Sequence, residues 1–200
     1  MSPSVPRRLL TLLVVAGLAL AAGAGCADDV SPAVEVGDVK ISDSDLMDEV
    51  AEWTGNEQAI PQSELAGFVS GTYPMRLVDA ILQQRIDFEL HAAKFEDLGL
   101  ELDDDLRQQA LLQLFQGDLA SADQALSGFS DEYAQRYIDD YSRQLAVEVT
   151  LGNAEYLAWR NAAYLETDIE VSPRYGRWDP EQQSVVGPDG PTQPAPSEES

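Results

Sequence analysis

The chain has 200 residues, of which 36 are Asp or Glu and only 12 are Lys or Arg, so its formal net charge is −24. This acidity argues against nucleic acid as a partner, because binding a phosphate backbone requires a basic surface. A single His and a single Cys exclude a structural zinc site with four N or S ligands and an intramolecular disulfide. We therefore expect no enzyme and no cofactor.

Residues 1–25 have the composition of an export signal. They carry Arg7 and Arg8, no acidic residue, and an apolar run from Leu9 to Ala22. As a helix this run spans roughly 21 Å, which is shorter than the ~30 Å hydrocarbon core of a bilayer. It fits a cleaved signal better than a permanent membrane span. The sequence therefore predicts a signal peptide over residues 1–25.

Small residues precede the only cysteine, in the order Gly23, Ala24, Gly25 and Cys26. This segment resembles a bacterial lipoprotein signal, in which the cysteine receives a diacylglycerol and becomes the first residue of the mature protein. The resemblance implies lipid attachment at Cys26, a lipidated tether over residues 26–32 and anchoring to the outer face of the cell membrane. An ordinary secretory signal cut near Ala24 is the alternative.

Beyond the tether, local signals predict one mainly helical domain over residues 33–178. β-Branched residues on both sides of Gly37-Asp38 predict a hairpin or a bent strand. Helices are predicted where a capping residue precedes an amphipathic run. They cover Asp43 to Trp53, Pro61 to Gly71, Pro74 to Leu98, Asp103 to Phe115, Ala122 to Leu126, Ser130 to Leu151 and Asn153 to Leu165, and a short strand follows at Asp168 to Val171.

The segment from Pro74 to Leu98 is expected to be the central helix of this domain. Its apolar residues fall on two strips, which predicts burial on two sides. The strips contain Leu77, Ile81, Phe88, Ala92 and Phe95 on one side, and Leu82, Ile86, Leu90 and Ala93 on the other. His91 lies on the same helix, and we expect a boundary histidine, between the buried and the exposed face of the helix, paired with Asp87 rather than acting as a general base.

The acidic segments predict solvated structure rather than a ligand site. Asp103–Asp105 suits the start of a helix, and no spacing of acids matches a calcium-binding loop, so no metal is expected. Residues 179–200 are rich in proline and acids and contain no aromatic residue. This composition buries too little apolar surface to order the chain, which predicts a disordered tail.

The order of these elements and two sequence segments resemble the N-terminal domain of SurA-like chaperones. The segment Val34–Leu46 (VEVGDVKISDSDL) is similar to that family's opening of a strand, a glycine turn and a capped helix. Leu77–Leu102 is similar to its long helix with a glycine exit, followed by an acid-rich restart at Asp103. The resemblance implies a SurA N-terminal-like helical domain, with a small β element that pairs the N- and C-terminal segments.

The resemblance also implies a function, that of an ATP-independent chaperone (holdase) that binds unfolded or extended exported polypeptides. Parvulin prolyl isomerase domains, which follow this module in the family, need a histidine-containing site. The chain after Leu165 contains no histidine, so isomerase activity is not expected. An envelope interaction module that docks one specific folded partner on the same scaffold is the alternative function.

Phe68, Tyr73 and Met75 are the candidate client contacts. They lie in a stretch interrupted by glycine and serine before the central helix, where aromatic and apolar side chains can adapt to unfolded segments.

Two further aromatic groups allow two readings each. The Tyr133, Tyr137 and Tyr141 stripe, together with Trp53 and Trp159, is expected to be core, with an aromatic client groove as the alternative. The second group consists of Arg174, Tyr175, Arg177 and Trp178. These residues suit either closure of the fold by cation–π packing or a partner patch with Arg and Trp anchors.

Overall fold

The computed structural model describes residues 32–58 and 75–187, and in these residues the chain is mainly helical, as predicted. The helices are α1 (Asp43–Gly55), α2 (Met75–Asp97), α3 (Asp104–Leu114), α4 (Leu119–Leu126), α5 (Asp131–Leu151) and α6 (Asn153–Glu166). The strands are β1 (Val34–Val36), β2 (Val39–Ile41), β3 (Ile169–Val171), β4 (Arg177–Asp179) and β5 (Ser184–Val186). The predicted signal peptide and the helix predicted at 61–71 lie outside the described residues.

Side-chain caps determine where the main helices begin. At the start of α1, the Ser42 hydroxyl accepts a hydrogen bond from the backbone N–H of Asp45 at 3.1 Å. The Asp45 carboxylate accepts one from the N–H of Ser42 at 3.3 Å, which completes a capping box. The side chains of Asp103 and Ser130 accept the equivalent backbone hydrogen bonds of α3 and α5. The predicted starts of these helices are therefore confirmed.

A three-stranded antiparallel sheet joins the beginning and the end of the domain. Its order is β2-β1-β3. The β1–β2 turn places Gly37 at φ +57°, a left-handed conformation that glycine adopts without steric cost. On its other side β1 pairs with β3, so that Val36 lies opposite Ile169. The predicted small β element is thus an antiparallel sheet built from both ends of the domain.

A second hairpin moves the end of the domain beyond the predicted boundary at 178. Strands β4 and β5 pair with Trp178 opposite Val185, and Val186 is buried. The prediction of a disordered tail from residue 179 onward is therefore wrong for residues 179–187. Strands of three residues carry no readable periodicity, and Val186 is buried only because the hairpin folds back onto α2. Residues 188–200 lie outside the described residues.

Helix α2 is central and is covered on two sides, as its two apolar strips predict. One side packs against α1, β1 and β5, and the other packs against α5. Ile81, Leu82 and Ile86 are buried in the main core together with Leu46 of α1 and Val34 of β1.

The tyrosine stripe of α5 packs into the domain, as expected for core residues. The Tyr133 side chain is buried, and its hydroxyl accepts a hydrogen bond from Trp53 Nε1 at 2.6 Å. The rings of Tyr137 and Tyr141 meet the edge of Phe88 at centroid distances of 6.2 and 5.1 Å. Such edge-to-face contacts stabilise the α2–α5 interface beyond the burial of area.

Arg85 stands at the junction of α1, α2 and α5 and contacts a carboxylate on each of them. Its Nη2 atom lies 2.7 Å from Glu89 of α2, and its Nη1 atom lies 3.4 Å from Asp140 of α5. Its Nε atom lies 3.5 Å from Glu49 of α1. We call these residues and the two arginines that join them the central ion network: Glu49, Arg85, Glu89, Arg136, Asp140 and Arg143.

The carboxylates of this network depend on their guanidinium partners because they are buried. Burial raises the pKa of Glu49, Glu89 and Asp140 above the usual carboxyl range, and the neighbouring arginines oppose that rise. Removal of one partner from a buried ion pair leaves an uncompensated charge, which costs more than the pair contributes.

We expect Arg85→Met to lower the free energy of unfolding by about 3 kcal/mol at pH 7, since it leaves three carboxylates without their shared partner. The loss should be smaller at pH 5, because carboxyl groups with a raised pKa take up protons there. Urea unfolding at both pH values measures the difference. Lys40→Met, which removes the exposed Lys40–Glu35 pair, is the control and should have little effect. An Arg85→Met loss that is equal at both pH values would contradict this account.

Candidate functional site

Helix α6 packs against α2 at a histidine of α2 that forms two hydrogen bonds. His91 is fully buried. Its Nδ1 atom lies 2.7 Å from the carbonyl oxygen of Asp87, which can only accept, so Nδ1 carries the proton. The unprotonated Nε2 then accepts a hydrogen bond from the Tyr156 hydroxyl at 3.0 Å. The predicted boundary position of His91 is wrong, because Tyr156 and Trp159 of α6 cover its ring.

A second contact between the two helices joins charged groups with a tyrosine. The Tyr164 hydroxyl donates a hydrogen bond to the Asp87 carboxylate. Arg160 donates from Nη2 to the same hydroxyl at 3.2 Å, and its guanidinium lies 5.3 Å from the centre of the Tyr164 ring. Burial and the Asp87 carboxylate raise the pKa of Tyr164, so this hydroxyl keeps its proton. These side chains fix how α6 sits on α2.

An apolar groove of about 430 Å³ opens on one side of α6, between α6, α2 and the β1–β2 turn. Val39 on its wall is 44% exposed. Four charged residues, Asp38, Glu89, Lys94 and Asp97, also line it. The apolar groove is defined by Val36, Val39, Leu90, Ala93, Trp159 and Ala163.

An amide groove of about 460 Å³ lies on the other side of α6, between α2, α5 and the β4–β5 hairpin. Arg160 and Tyr164 of α6 line it, whereas Trp159 and Ala163 line the apolar groove. Carboxamide side chains dominate the amide groove, which we define by Gln83, Gln84, Gln144, Gln182, Gln183 and Ser184.

The predicted client contacts lie away from both grooves or outside the described residues. Met75 is the first residue of α2 and is 48% exposed. Phe68, Tyr73 and the proposed lipid attachment site Cys26 lie outside the described residues.

The basic and aromatic cluster after β3 makes contacts within the domain. The Arg174 guanidinium lies 2.9 Å from Asp43, and the buried Tyr175 donates its hydroxyl proton to the same carboxylate. The Trp178 ring lies 5.7 Å from a tyrosine ring of α6. Arg177 is exposed and lies 3.7 Å from the carboxylate of Asp179. These contacts correspond to the closure reading of the cluster.

Residues 32–58 and 75–187 bring together no group of three or more His, Cys, Asp and Glu side chains that could bind a metal ion. In the same residues no helix has the length and apolar character needed to cross a membrane.

Comparison with known proteins found no relative: no protein-family model matches the chain, and neither does any curated protein or any solved structure. Function is therefore inferred from the surfaces of the domain, among which are the two grooves beside α6.

Sequence reasoning missed both grooves. The pairs Gln83-Gln84 and Gln182-Gln183 are visible in the sequence. They line one surface only because the β4–β5 hairpin folds back onto α2. The apolar groove likewise combines residues of β1, α2 and α6, whose separation in the chain hides their proximity.

We expect His91→Gln to lower the free energy of unfolding by about 2 kcal/mol at pH 7.5, since it disturbs a buried hydrogen-bonded group. Burial lowers the pKa of folded His91 below its ordinary value of 6.5. As the pH falls below that value, the unfolded wild-type chain binds a proton that the folded chain rejects.

The advantage of the wild type over His91→Gln should therefore be complete above pH 6.5 and shrink below it, by at most about 1.4 kcal/mol per pH unit. Urea unfolding from pH 7.5 to 5 measures this difference. An advantage that grows on acidification would show that folded His91 is charged and stabilised by Asp87.

Proposed function

We propose that the protein is an exported, lipid-anchored holdase that resembles SurA-type chaperones. It binds unfolded or extended segments of exported polypeptides without ATP and without prolyl isomerisation. The observation that carries this proposal is the open apolar groove beside α6, where the exposed Val39 and Ala93 and the half-buried Trp159 are accessible from solvent.

The shape of this groove suits apolar side chains of varied size. Unfolded polypeptides expose such side chains, and their burial against an apolar wall stabilises a complex by roughly 25 cal/mol per Å². An open groove does not select one ligand by enclosing it, in contrast to a deep pocket with few precisely placed polar groups. A holdase needs this tolerance because its clients differ in sequence.

The charge of the protein supports the same function. The chain carries a formal net charge of −24. Complexes that carry this charge repel one another, which keeps bound clients from aggregating.

The order of elements is also consistent with the family resemblance. A strand with a glycine turn leads into the capped helix α1, the long helix α2 follows, and β3 returns to pair with β1. This arrangement supports a SurA N-terminal-like domain.

In this proposal Cys26 attaches the protein to the outer face of the cell membrane. The short tether to β1 reaches about 20 Å when extended. Anionic headgroups repel the acidic domain, so the domain stands off the bilayer and meets polypeptides as they emerge.

Suppression of aggregation tests this proposal. The full chain in lipid nanodiscs is titrated against two unrelated unfolded clients, with nanodiscs that carry an equally acidic inert protein as control. We expect suppression of both clients near stoichiometric ratios. Val39→Asp/Ala93→Asp should weaken suppression at least threefold, because both exposed positions line the apolar groove. Val149→Asp, at a position 69% exposed on α5, is the matched control.

Two other outcomes lead to different conclusions. If only replacement of Phe68, Tyr73 and Met75 weakens suppression, the holdase proposal stands, and its client surface includes the start of α2 and the residues that precede it in the chain. If neither client is suppressed beyond the control, the holdase proposal is overturned, and a docking module for one folded envelope partner becomes the better hypothesis.

A further inference from the structure

The amide groove already binds an extended backbone at one edge. Gln83 on α2 accepts a hydrogen bond through Oε1 from the backbone N–H of Val185 in strand β5, at 3.2 Å. A side-chain carboxamide of α2 therefore binds the main chain of strand β5, and this hydrogen bond involves no side chain of the strand.

The same chemistry continues across the groove. Gln84 donates from Nε2 to the Tyr141 hydroxyl at 3.2 Å, and Gln144 and Gln182 line the groove beside it. Each carboxamide offers two N–H donors and an acceptor oxygen, which match the C=O and N–H groups of a peptide bond. The Nε atom of Arg160 is buried and makes no hydrogen bond within residues 32–58 and 75–187.

Charge and ring exposure indicate the class of ligand. The Arg160 Nε atom lies 3.6 Å from the Asp87 carboxylate, so the charged side chains of the groove offset one another. Phe88 and Tyr164 are only 6% and 2% exposed. Tyr141, the third aromatic residue that lines the groove, is half-buried, and its ring packs edge-on with Phe88 and Tyr137. A neutral surface of amides whose rings pack against one another favours a peptide main chain over a sugar, which typically needs an open ring face to stack on.

We propose that the amide groove binds the main chain of an extended polypeptide through Gln84 and Gln144, whatever its side chains. This inference rests on the proposed function, because it takes a polypeptide as the client. The two grooves then bind different parts of the client: the apolar groove binds its side chains, and the amide groove binds its peptide bonds. A client that crosses α6 would contact both.

A double-mutant cycle between protein and peptide tests this inference. The probes are one extended ten-residue peptide with apolar side chains and the same peptide with alternate backbone nitrogens methylated. Binding of each is measured by fluorescence anisotropy to the full chain in nanodiscs. N-methylation should weaken binding to the wild type at least fivefold, because it removes main-chain donors.

Gln84→Met/Gln144→Met should bind the unmethylated peptide at least fivefold more weakly and lose most of the sensitivity to N-methylation. Gln109→Met/Gln135→Met, at exposed positions on α3 and α5, is the matched control and should behave as the wild type. Thermal melting of both double variants excludes loss of the fold as the cause.

The possible failures are distinguishable. If N-methylation weakens the wild type and the groove variant by the same factor, the amide groove does not bind the main chain, although the holdase proposal stands. If a neutral oligosaccharide binds the wild type and not the groove variant, the site is a glycan site, which overturns the inference. If the unmethylated peptide does not bind the wild type at all, the inference and the proposed function fail together.

Discussion

The interior of this acidic protein depends on a small number of arginines placed against buried carboxylates. Every arginine from Arg85 onward lies within 4.0 Å of a carboxylate oxygen. Arg85 is the most consequential of them, because it joins α1, α2 and α5 through a carboxylate on each. A chain with 36 acidic residues can bury a few of them only where a guanidinium compensates the loss of solvation. Helix α2, which carries Arg85, is therefore the element to which α1 and α5 are joined.

The position of α6 on helix α2 creates both grooves. His91 and Asp87 of α2 hold α6 through Tyr156 and Tyr164. Trp159 and Ala163 of α6 line the apolar groove, and Arg160 and Tyr164 line the amide groove. One side of α6 meets the β1–β2 turn and is apolar, and the other meets the β4–β5 hairpin and carries carboxamides. Two surfaces of different chemistry therefore lie on either side of one helix.

Local signals in the sequence predict the helices well, and long-range contacts explain what the sequence misses. Ser42, Asp103 and Ser130 reveal helix starts because a cap acts over three residues. Continued at every fourth residue, the tyrosine stripe of α5 reaches Val149, which is 69% exposed. Residues four apart rotate by about 40° at each step, so a long stripe leaves the interface.

The features missed from the sequence all need distant partners. Arg85 meets Asp140, 55 positions later in the chain, and His91 is buried only because α6 covers it. Strand β5 forms in a segment whose composition predicts disorder, because α2 supplies a surface against which Val186 is buried and Val185 is partly buried. The grooves depend on these same contacts, so the candidate site lies in the part of the structure that local patterns do not reveal.

The most direct test is site-specific photocrosslinking to an unfolded client, with the crosslinker at Val39, at Gln182 or at Val149. Val39 and Gln182 line the two grooves, whereas Val149 of α5 is 69% exposed and lines neither. We predict crosslinks from the two groove positions and none from Val149. Equal crosslinking from all three positions, or crosslinking from Val149 alone, would contradict the role of the grooves.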